Sequence, residues 1–309
     1  MSIPRLVYGF DDGYAEPSVL SAFTAALYAS EPIDVAFLAL DNVDKVQVYC
    51  DLLEHRFPGS AFRVEKAARP EVGLINNNRF GDASNIRLTL HETMDGRVIY
   101  VDGDTMFLRD VATLYRTELA GHPLAACLDS VALRDHYSSL RKRISPKKLR
   151  GYLAARRAIL PELDFSRYFN SGLLLMDLDR LKQHPLAPMI TQPVKPERFD
   201  FHDQDWLNIL FRDEIYLLDP VWNSLWGNCR IERAYVPEQV RRQFHNSQTN
   251  PAMIHFASDE KPWKSARPNF RGKYLFRLAE LRERQRIWDL YHHHVALFRT
   301  EVSPDIFSK

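Results

Sequence analysis

No apolar run in these 309 residues is long enough to span a bilayer, and Met1-Ser2-Ile3-Pro4-Arg5 passes straight into a strand pattern without the apolar segment of a secretion signal. The expectation is a cytoplasmic protein that can also sit peripherally on the inner face of the cytoplasmic membrane. Cysteine is scarce. Cys50, Cys127 and Cys229 are odd in number and lack metal-type spacing, which argues against a disulfide framework and for reduced thiols. A surplus of either charge is missing as well. Forty-one Lys and Arg against forty Asp and Glu leave a formal charge of +1, so no global field recruits nucleic acid, and any anionic partner must be met locally. Internal repeats and low-complexity linkers are also absent.

What remains is a packed α/β pattern with 45% hydrophobic residues. Leu6 to Phe10 reads as a short strand that ends in Asp11-Asp12-Gly13-Tyr14, and Glu16-Pro17-Ser18 opens a helix to about residue 30. A second strand over 35–40, a second helix over 43–57 and a third strand over 62–64 continue a βαβ rhythm, which implies parallel pairing with right-handed crossovers. Asn76 to Phe80 is loop-like, and 84–92 reads as a helix that Asp95-Gly96 ends.

The central stretch is Arg97-Val98-Ile99-Tyr100-Val101-Asp102-Gly103-Asp104, a buried strand that carries two carboxylates at its end. Side chains at i and i+2 of an extended chain leave the same face, so Asp102 and Asp104 can converge on one hard cation, with Gly103 letting the backbone approach. A hairpin turn at Asp-Gly is the alternative. Further on, 123–128 reads as a strand ending at Asp129. The segment 134–157, with Arg141-Lys142-Arg143, Lys147-Lys148, Arg150 and Arg156-Arg157, reads as basic helix with a solvated face. Tyr168-Phe169-Asn170-Ser171-Gly172 reads as a polar turn that leads into the apolar strand 173–178. His202-Asp203-Gln204-Asp205 looks like a capped helix start, which accounts for one Asp but not for Gln204. Trp222-Asn223 follows a strand over 215–218, and the strand 252–257 carries His255 towards Lys261-Pro262-Trp263. From Lys264 to Glu301, nine Lys or Arg stand against four Asp or Glu, interleaved with Tyr274, Phe276, Trp288, Tyr291 and Phe298. That composition suits either a helix packed on the domain or a surface resting on anionic lipid with aromatics at headgroup level.

In their order and spacing, Phe10-Asp11-Asp12-Gly13-Tyr14, Arg87, Tyr100-Val101-Asp102-Gly103-Asp104, Tyr168 to Gly172, Asp203-Gln204-Asp205 and His255 with Lys261-Pro262-Trp263 resemble the family 8 glycosyltransferases, and especially bacterial lipopolysaccharide galactosyl- and glucosyltransferases. The resemblance implies a GT-A fold: a Rossmann-like α/β domain over residues 1–263, with a mixed, mostly parallel sheet flanked by helices, and a helical C-terminal tail over 264–309. It further implies a UDP-hexose donor, with Mn²⁺ or Mg²⁺ held by Asp102, Asp104 and His255, and a saccharide acceptor that is lipid-linked. By the same carry-over, Phe10, Asp11, Asp12 and Tyr14 contact the nucleoside, Arg87 the phosphate or sugar, Gly103 the donor, and Lys261 a phosphate oxygen. Asn170, Asp129, Asp203 and Gln204 surround the donor sugar. Gln204 is a poor nucleophile, which favours same-face substitution steadied by Gln204 or Asn170 over a covalent intermediate on Asp203. The family often carries a larger residue where Gly103 stands here, leaving donor preference open. Two rival readings share these residues. Val101-Asp102-Gly103-Asp104-Thr105 also resembles the motif of haloacid dehalogenase-type phosphatases, with Asp102 as nucleophile, and a non-catalytic nucleotide-sugar binding protein would keep the same pocket.

Overall fold

The computed structural model describes residues 2–72, 82–140, 147–226, 236–268 and 278–308. Asn76 to Phe80, Arg141-Lys142-Arg143, Cys229, Tyr274 and Phe276 lie outside the described residues. The expected rhythm opens the chain: β1 (Arg5–Phe10), α1 (Ala15–Tyr28), β2 (Asp34–Ala39), α2 (Val43–Arg56) and β3 (Ala61–Lys66). Then come α3 (Ile86–Thr93), β4 (Arg97–Val101), β5 (Thr105–Phe107), α4 (Val111–Tyr115) and β6 (Leu124–Leu128), followed by α5 (Ser130–Leu140), α6 (Lys147–Ile159) and β7 (Phe169–Asp177). The remainder is α7 (Leu178–Gln183), α8 (His202–Leu210), β8 (Ile215–Leu217), β9 (Ser224–Leu225), α9 (Glu238–Thr249), β10 (Met253–His255) and α10 (Leu278–Glu301).

Seven strands form one sheet in the order β3-β2-β1-β4-β7-β6-β8. All pairs are parallel except those of β7, which runs antiparallel to both β4 and β6. The chain moves outward from β1 to β3 and returns to place β4 on the other side of β1. That reversal leaves a crevice beyond the carboxyl ends of β1 and β4, where α/β sheets receive ligands. A second sheet, β5-β10-β9, sits beside it. β5 pairs with β10 and not with β4, so Asp102-Gly103-Asp104 is a link between two sheets and not a hairpin.

The strands are apolar on both faces because both are covered. Leu6, Tyr8, Ile99, Val101, Leu173 and Leu175 join the core built with α1, α2 and α10. Val7, Val98, Tyr100, Leu174 and Met176 join the one built with α3, α7 and α8. Period-2 alternation therefore divides one continuous hydrophobic run between two cores.

Of the two readings left open for the tail, the structure shows the packed helix: Trp288, Tyr291 and Phe298 are buried in the same core as β1 and α1, with Phe298 edge-on to Phe23 at 5.1 Å. Burying three aromatic rings in this core removes their apolar area from water, which stabilises the packed arrangement. The expectation for 134–157 needs correction: the basic stretch is not simply a solvated face. Arg156 is buried, with Nη2 at 2.5 and 2.6 Å from the two oxygens of Asp205, and its guanidinium lies over the rings of Phe165 and Phe201. Among the described residues, no helix is long and apolar enough to cross a membrane.

Candidate active site

Asp102 leaves the end of β4, where its N–H donates to the Gly172 carbonyl at 2.9 Å, and Asp104 closes the link into the second sheet, its carbonyl accepting from the Phe256 N–H at 2.8 Å. β10 delivers His255 between them. Asp102, Asp104 and His255 each bring one ligand atom within 4.8 Å of the others. His255 Nε2 stands 3.2 Å from Asp104 Oδ1 and 3.9 Å from Asp102 Oδ2. Asp104 and His255 are buried, while the Asp102 side chain is 25% exposed, which leaves one side of the cluster open to the crevice. Two carboxylates and one imidazole form a donor set that suits Mn²⁺ or Mg²⁺.

The space for this cluster is made by Gly172. A Cβ there would lie 2.3 Å from His255 Cε1 and 2.8 Å from Asp102 Oδ2. The turn expected at Asn170-Ser171-Gly172 is not formed: all three residues lie within β7, at the register shift between its pairing of Phe169 with Leu128 and of Leu174 with Ala126. The glycine is needed for the close approach of Asp102 and His255 and not for turning. Gly103 is similarly confined, since a Cβ would meet Ser18 Oγ at 2.2 Å and the Tyr14 carbonyl at 3.3 Å, so α1 occupies the room a larger residue would take.

A buried ring of polar groups surrounds the cluster. Arg87, on α3, donates from Nη2 to Asp102 Oδ1 at 2.7 Å, lies 3.3 Å from Asp203 Oδ2 through Nε, and donates from Nη1 to Ser171 Oγ at 2.9 Å. Burial alone would lower the Arg87 guanidinium's pKa, but Asp102 and Asp203 reverse this and hold it charged. Lys261 Nζ donates to Asp104 Oδ2 at 2.6 Å and to the Phe256 carbonyl at 2.7 Å, with the rings of Tyr14 and Trp263 each 5.7 Å away. Burial opposes the charge on both members of that pair. Their mutual attraction outweighs it: Asp104 titrates well below the usual carboxylate range, and Lys261 titrates above its ordinary value.

Asp203 and Gln204 project from the first turn of α8. Ser171 Oγ donates to Asp203 Oδ2 at 2.9 Å, and the Ser171 N–H donates to Gln204 Oε1 at 3.0 Å. Asp129 caps α5 by accepting the N–H groups of Val131 and Ala132 through Oδ1, both at 2.9 Å. Its Oδ2 accepts from Asn170 Nδ2 at 3.1 Å and Gln204 Nε2 at 3.5 Å. The residues around Asp11 stand at the carboxyl end of β1. Asp11 caps a short 3-10 turn by accepting from the Gly13 N–H, Asp12 is exposed and Tyr14 half-buried. Phe10 differs, because its ring is buried against Phe37 and a ligand there meets only backbone.

Ser171, Gly172 and Asn223 carry structural roles in this site that sequence patterns do not assign. Ser171 and Gly172 sit between Asn170 and the apolar part of β7. Asn223 follows Trp222 at the end of a 3-10 turn, where proximity to His255 has no local signature.

Asp203 gives a pH prediction. Burial pushes its carboxyl above the ordinary value, Arg87 and the Ser171 hydroxyl pull it partly back, and Asp102 adds to the rise. A carboxyl that holds its proton more tightly folded than unfolded makes stability fall as pH rises through that interval. Asp203→Asn should therefore gain on the wild type as pH rises above about 4, the ordinary carboxylate value. Urea unfolding at stepped pH measures this, and parallel curves for the two proteins would refute it.

The comparisons with known proteins agree with this geometry. The sequence model of Glycosyl transferase family 8 matches residues 79–267, more than half of the chain. The chain belongs to glycosyl transferase family 8. Within curated proteins it is 27% identical over 187 residues to general stress protein A of Bacillus subtilis, covering 58% of this chain and 57% of that protein. It is 26% identical over 186 residues to glycosyltransferase GlyF of Streptococcus pneumoniae, covering 59% of this chain and 38% of that one. It thus spans about half or less of the length of these curated relatives. The solved structure of galactosyltransferase LgtC, in complex with donor and acceptor sugar analogs, superposes with a TM-score of 0.69 at 17% identity, covering 96% of this chain and all of that one. That likeness establishes the GT-A fold. Family 8 membership, with Asp102 ending the fourth strand of the sheet, leaves the phosphatase reading without support.

Proposed function

We propose that this family 8 chain is a retaining, divalent-metal-dependent hexosyltransferase that moves galactose or glucose from a UDP-hexose to a saccharide acceptor, such as lipopolysaccharide or another lipid-linked cell-surface glycan. The observation that carries the reading is the convergence of Asp102, Asp104 and His255 beside the buried Lys261 at the sheet's topological switch point. A bound Mn²⁺ or Mg²⁺ would offset the charge that develops on the departing diphosphate.

The chain's own groups would do the remainder. Lys261 would hold a phosphate oxygen as a fixed point charge. Asp11, Asp12 and Tyr14, at the carboxyl end of β1, would meet the nucleoside, with Phe10 offering backbone. Arg87 and Asp203 would bind sugar hydroxyls. Asp203 is tied to Ser171 Oγ and Arg87, and Gln204 Oε1 accepts a backbone N–H, so neither group is free to act as a nucleophile without rearrangement. That supports same-face substitution, in which the acceptor hydroxyl attacks on the side the nucleotide leaves and a departing phosphate oxygen takes its proton, with Gln204 or Asn170 steadying the positive sugar centre. Any contact with an anionic membrane would come from the polar face of α10, because its aromatics are buried.

Calorimetric titration with UDP, in the presence of Mn²⁺ and then of chelator, tests the reading. The wild type should bind UDP with Mn²⁺ present, and chelator or Asp104→Ala should weaken binding more than about tenfold, since a ligand is lost and Lys261 is left buried without its partner carboxylate. Failure to bind UDP, together with Mg²⁺-dependent phosphate release from a generic phosphatase substrate, would overturn the reading. UDP binding with no sugar transfer from any hexose donor would favour the non-catalytic binding protein.

A further inference from the structure

A metal-ligating histidine must present a lone pair, and which of its nitrogens does so is decided by the partner of the other. For His255 that partner is Asn223, whose amide is itself oriented by a chain of hydrogen bonds with fixed ends. At one end stands the Asp129 carboxylate, which only accepts, and it takes a proton from Asn170 Nδ2 at 3.1 Å. At the other side of the same amide the Gly172 N–H, which only donates, points at Asn170 Oδ1 from 3.0 Å. These two contacts admit one orientation of Asn170. Its Oδ1 also faces Asn223 at 2.9 Å, so Asn223 must turn its NH₂ there. The Asn223 oxygen is then left for His255 Nδ1, 3.0 Å away, and that nitrogen must carry the proton. In the neutral ring Nε2 is then the acceptor, 3.2 Å from Asp104 Oδ1 and 3.9 Å from Asp102 Oδ2, and three lone-pair donors facing one another call for a cation.

We propose that Asn223 is a positioning residue for the metal centre, the last member of an Asp129–Asn170–Asn223 relay that holds His255 in the Nδ1–H tautomer. The inference rests on reading Asp102, Asp104 and His255 as metal ligands. All three relay side chains are buried, so water does not compete for these bonds. Asn223 is held rigidly as well. Its 3-10 turn is capped by Asp219, which accepts from the Val221 N–H at 3.0 Å, and it leads directly into β9, whose Leu225 is registered opposite His255. The relay works against intrinsic preference, because free neutral imidazole favours the proton on Nε2. Without Asn223 the proton would move there, donate to Asp104 Oδ1 and occupy the space a cation needs.

The test pairs ¹⁵N NMR of the metal-free protein at mildly alkaline pH with Mn²⁺ titration by calorimetry, using His255→Asn to assign the resonance. In the wild type, His255 should show a protonated Nδ1 and a bare Nε2. Asn223→Leu, close in shape but without an acceptor, should move the proton to Nε2 and weaken Mn²⁺ binding by about 10–100-fold. Asn223→Asp restores an acceptor opposite Nδ1 and should recover the Nδ1–H signature, with only part of the affinity because its second oxygen has no proton to give Asn170 Oδ1; a merely space-filling role for Asn223 does not predict that recovery. A wild-type His255 with a bare Nδ1 and its proton on Nε2 would overturn the relay without recourse to any variant. So would Asn223→Leu with unchanged tautomer and affinity. No Mn²⁺ binding by the wild type would instead overturn the metal-centre reading, and with it any role of Asn223 towards a metal, while the NMR signature would still report on the relay itself.

Discussion

Gly172→Ala is expected to abolish divalent-metal binding, and with it metal-dependent nucleotide binding, while leaving the protein folded. The added methyl would sit 2.3 Å from His255 Cε1 and 2.8 Å from Asp102 Oδ2, both well inside contact distance. Neither neighbour can withdraw cheaply. His255 is tied through Nδ1 to Asn223, and Asp102 is tied to Arg87 and, by its backbone, to Gly172 itself. The glycine cannot retreat cheaply either, because its carbonyl accepts from the Asp102 N–H and its own N–H donates to Asn170 Oδ1. The strain therefore falls on the positions of two ligands. The fold should tolerate the change: Gly172 is not among the positive-φ glycines, and Gly→Ala at a compatible backbone usually gains about 0.4–1 kcal/mol by restricting the unfolded chain. Mn²⁺ titration and a urea unfolding curve, taken together, check the prediction. Retained binding within about threefold of the wild type, a difference of under 1 kcal/mol, would show that the ligands do not need this space.

Asp205→Ala should lower stability by about 3–5 kcal/mol, because it removes the buried carboxylate of an ion pair and leaves the buried Arg156 only the exposed Asp200, 3.1 Å from its Nε, as a charge partner. Asp205 is fully buried and satisfies four groups at once: the Arg156 guanidinium, the Tyr168 hydroxyl at 2.6 Å, and the N–H groups of Asp200 and Phe201 at 2.9 and 3.0 Å. It thereby ties α6 and the entry to β7 to the start of α8, the turn that also carries Asp203 and Gln204. Burial, and then the neighbouring carboxylate, keep the Tyr168 phenol protonated well beyond its normal range, so it serves as a donor at any working pH. Adding Arg156→Met to Asp205→Ala should recover part of the loss, since an apolar side chain of similar length leaves no unpaired charge among Phe165 and Phe201. Urea unfolding of the two single variants and the double variant gives the coupling directly. A loss below about 1 kcal/mol for Asp205→Ala would mean that water reaches Arg156 and replaces the pair.

Three segments show where local pattern stops being informative. In 134–157 the spacing of Arg and Lys between apolar positions is correctly helical, but helical periodicity cannot reveal that Asp205, 49 residues downstream, arrives to bury Arg156. In the tail, the alternation of basic and aromatic residues fits a lipid surface and a packed helix equally well. The difference is made by the apolar face of α1, which needs Trp288, Tyr291 and Phe298 to cover it. Asn170-Ser171-Gly172 has the composition of a turn, and the pairing of the flanking parts of β7, Phe169 before and 173–177 after, carries the segment through as strand.

Composition and periodicity determined much by themselves: the βαβ opening, the buried central strand, and two carboxylates at its end with i, i+2 geometry. These are legible because they depend on interactions within a few residues, and the order of several short motifs narrowed the chemistry further. Tertiary structure alone decided the rest. It placed His255 and Lys261 against Asp104 across more than 150 residues of chain, used Gly172 as room for two ligands, and ran the hydrogen bonds of Asp129, Asn170 and Asn223 into one relay. Those features depend on which strands are neighbours and in what register. Pairing of strands so far apart in the chain is set by the whole core at once, and no local window of the sequence contains it.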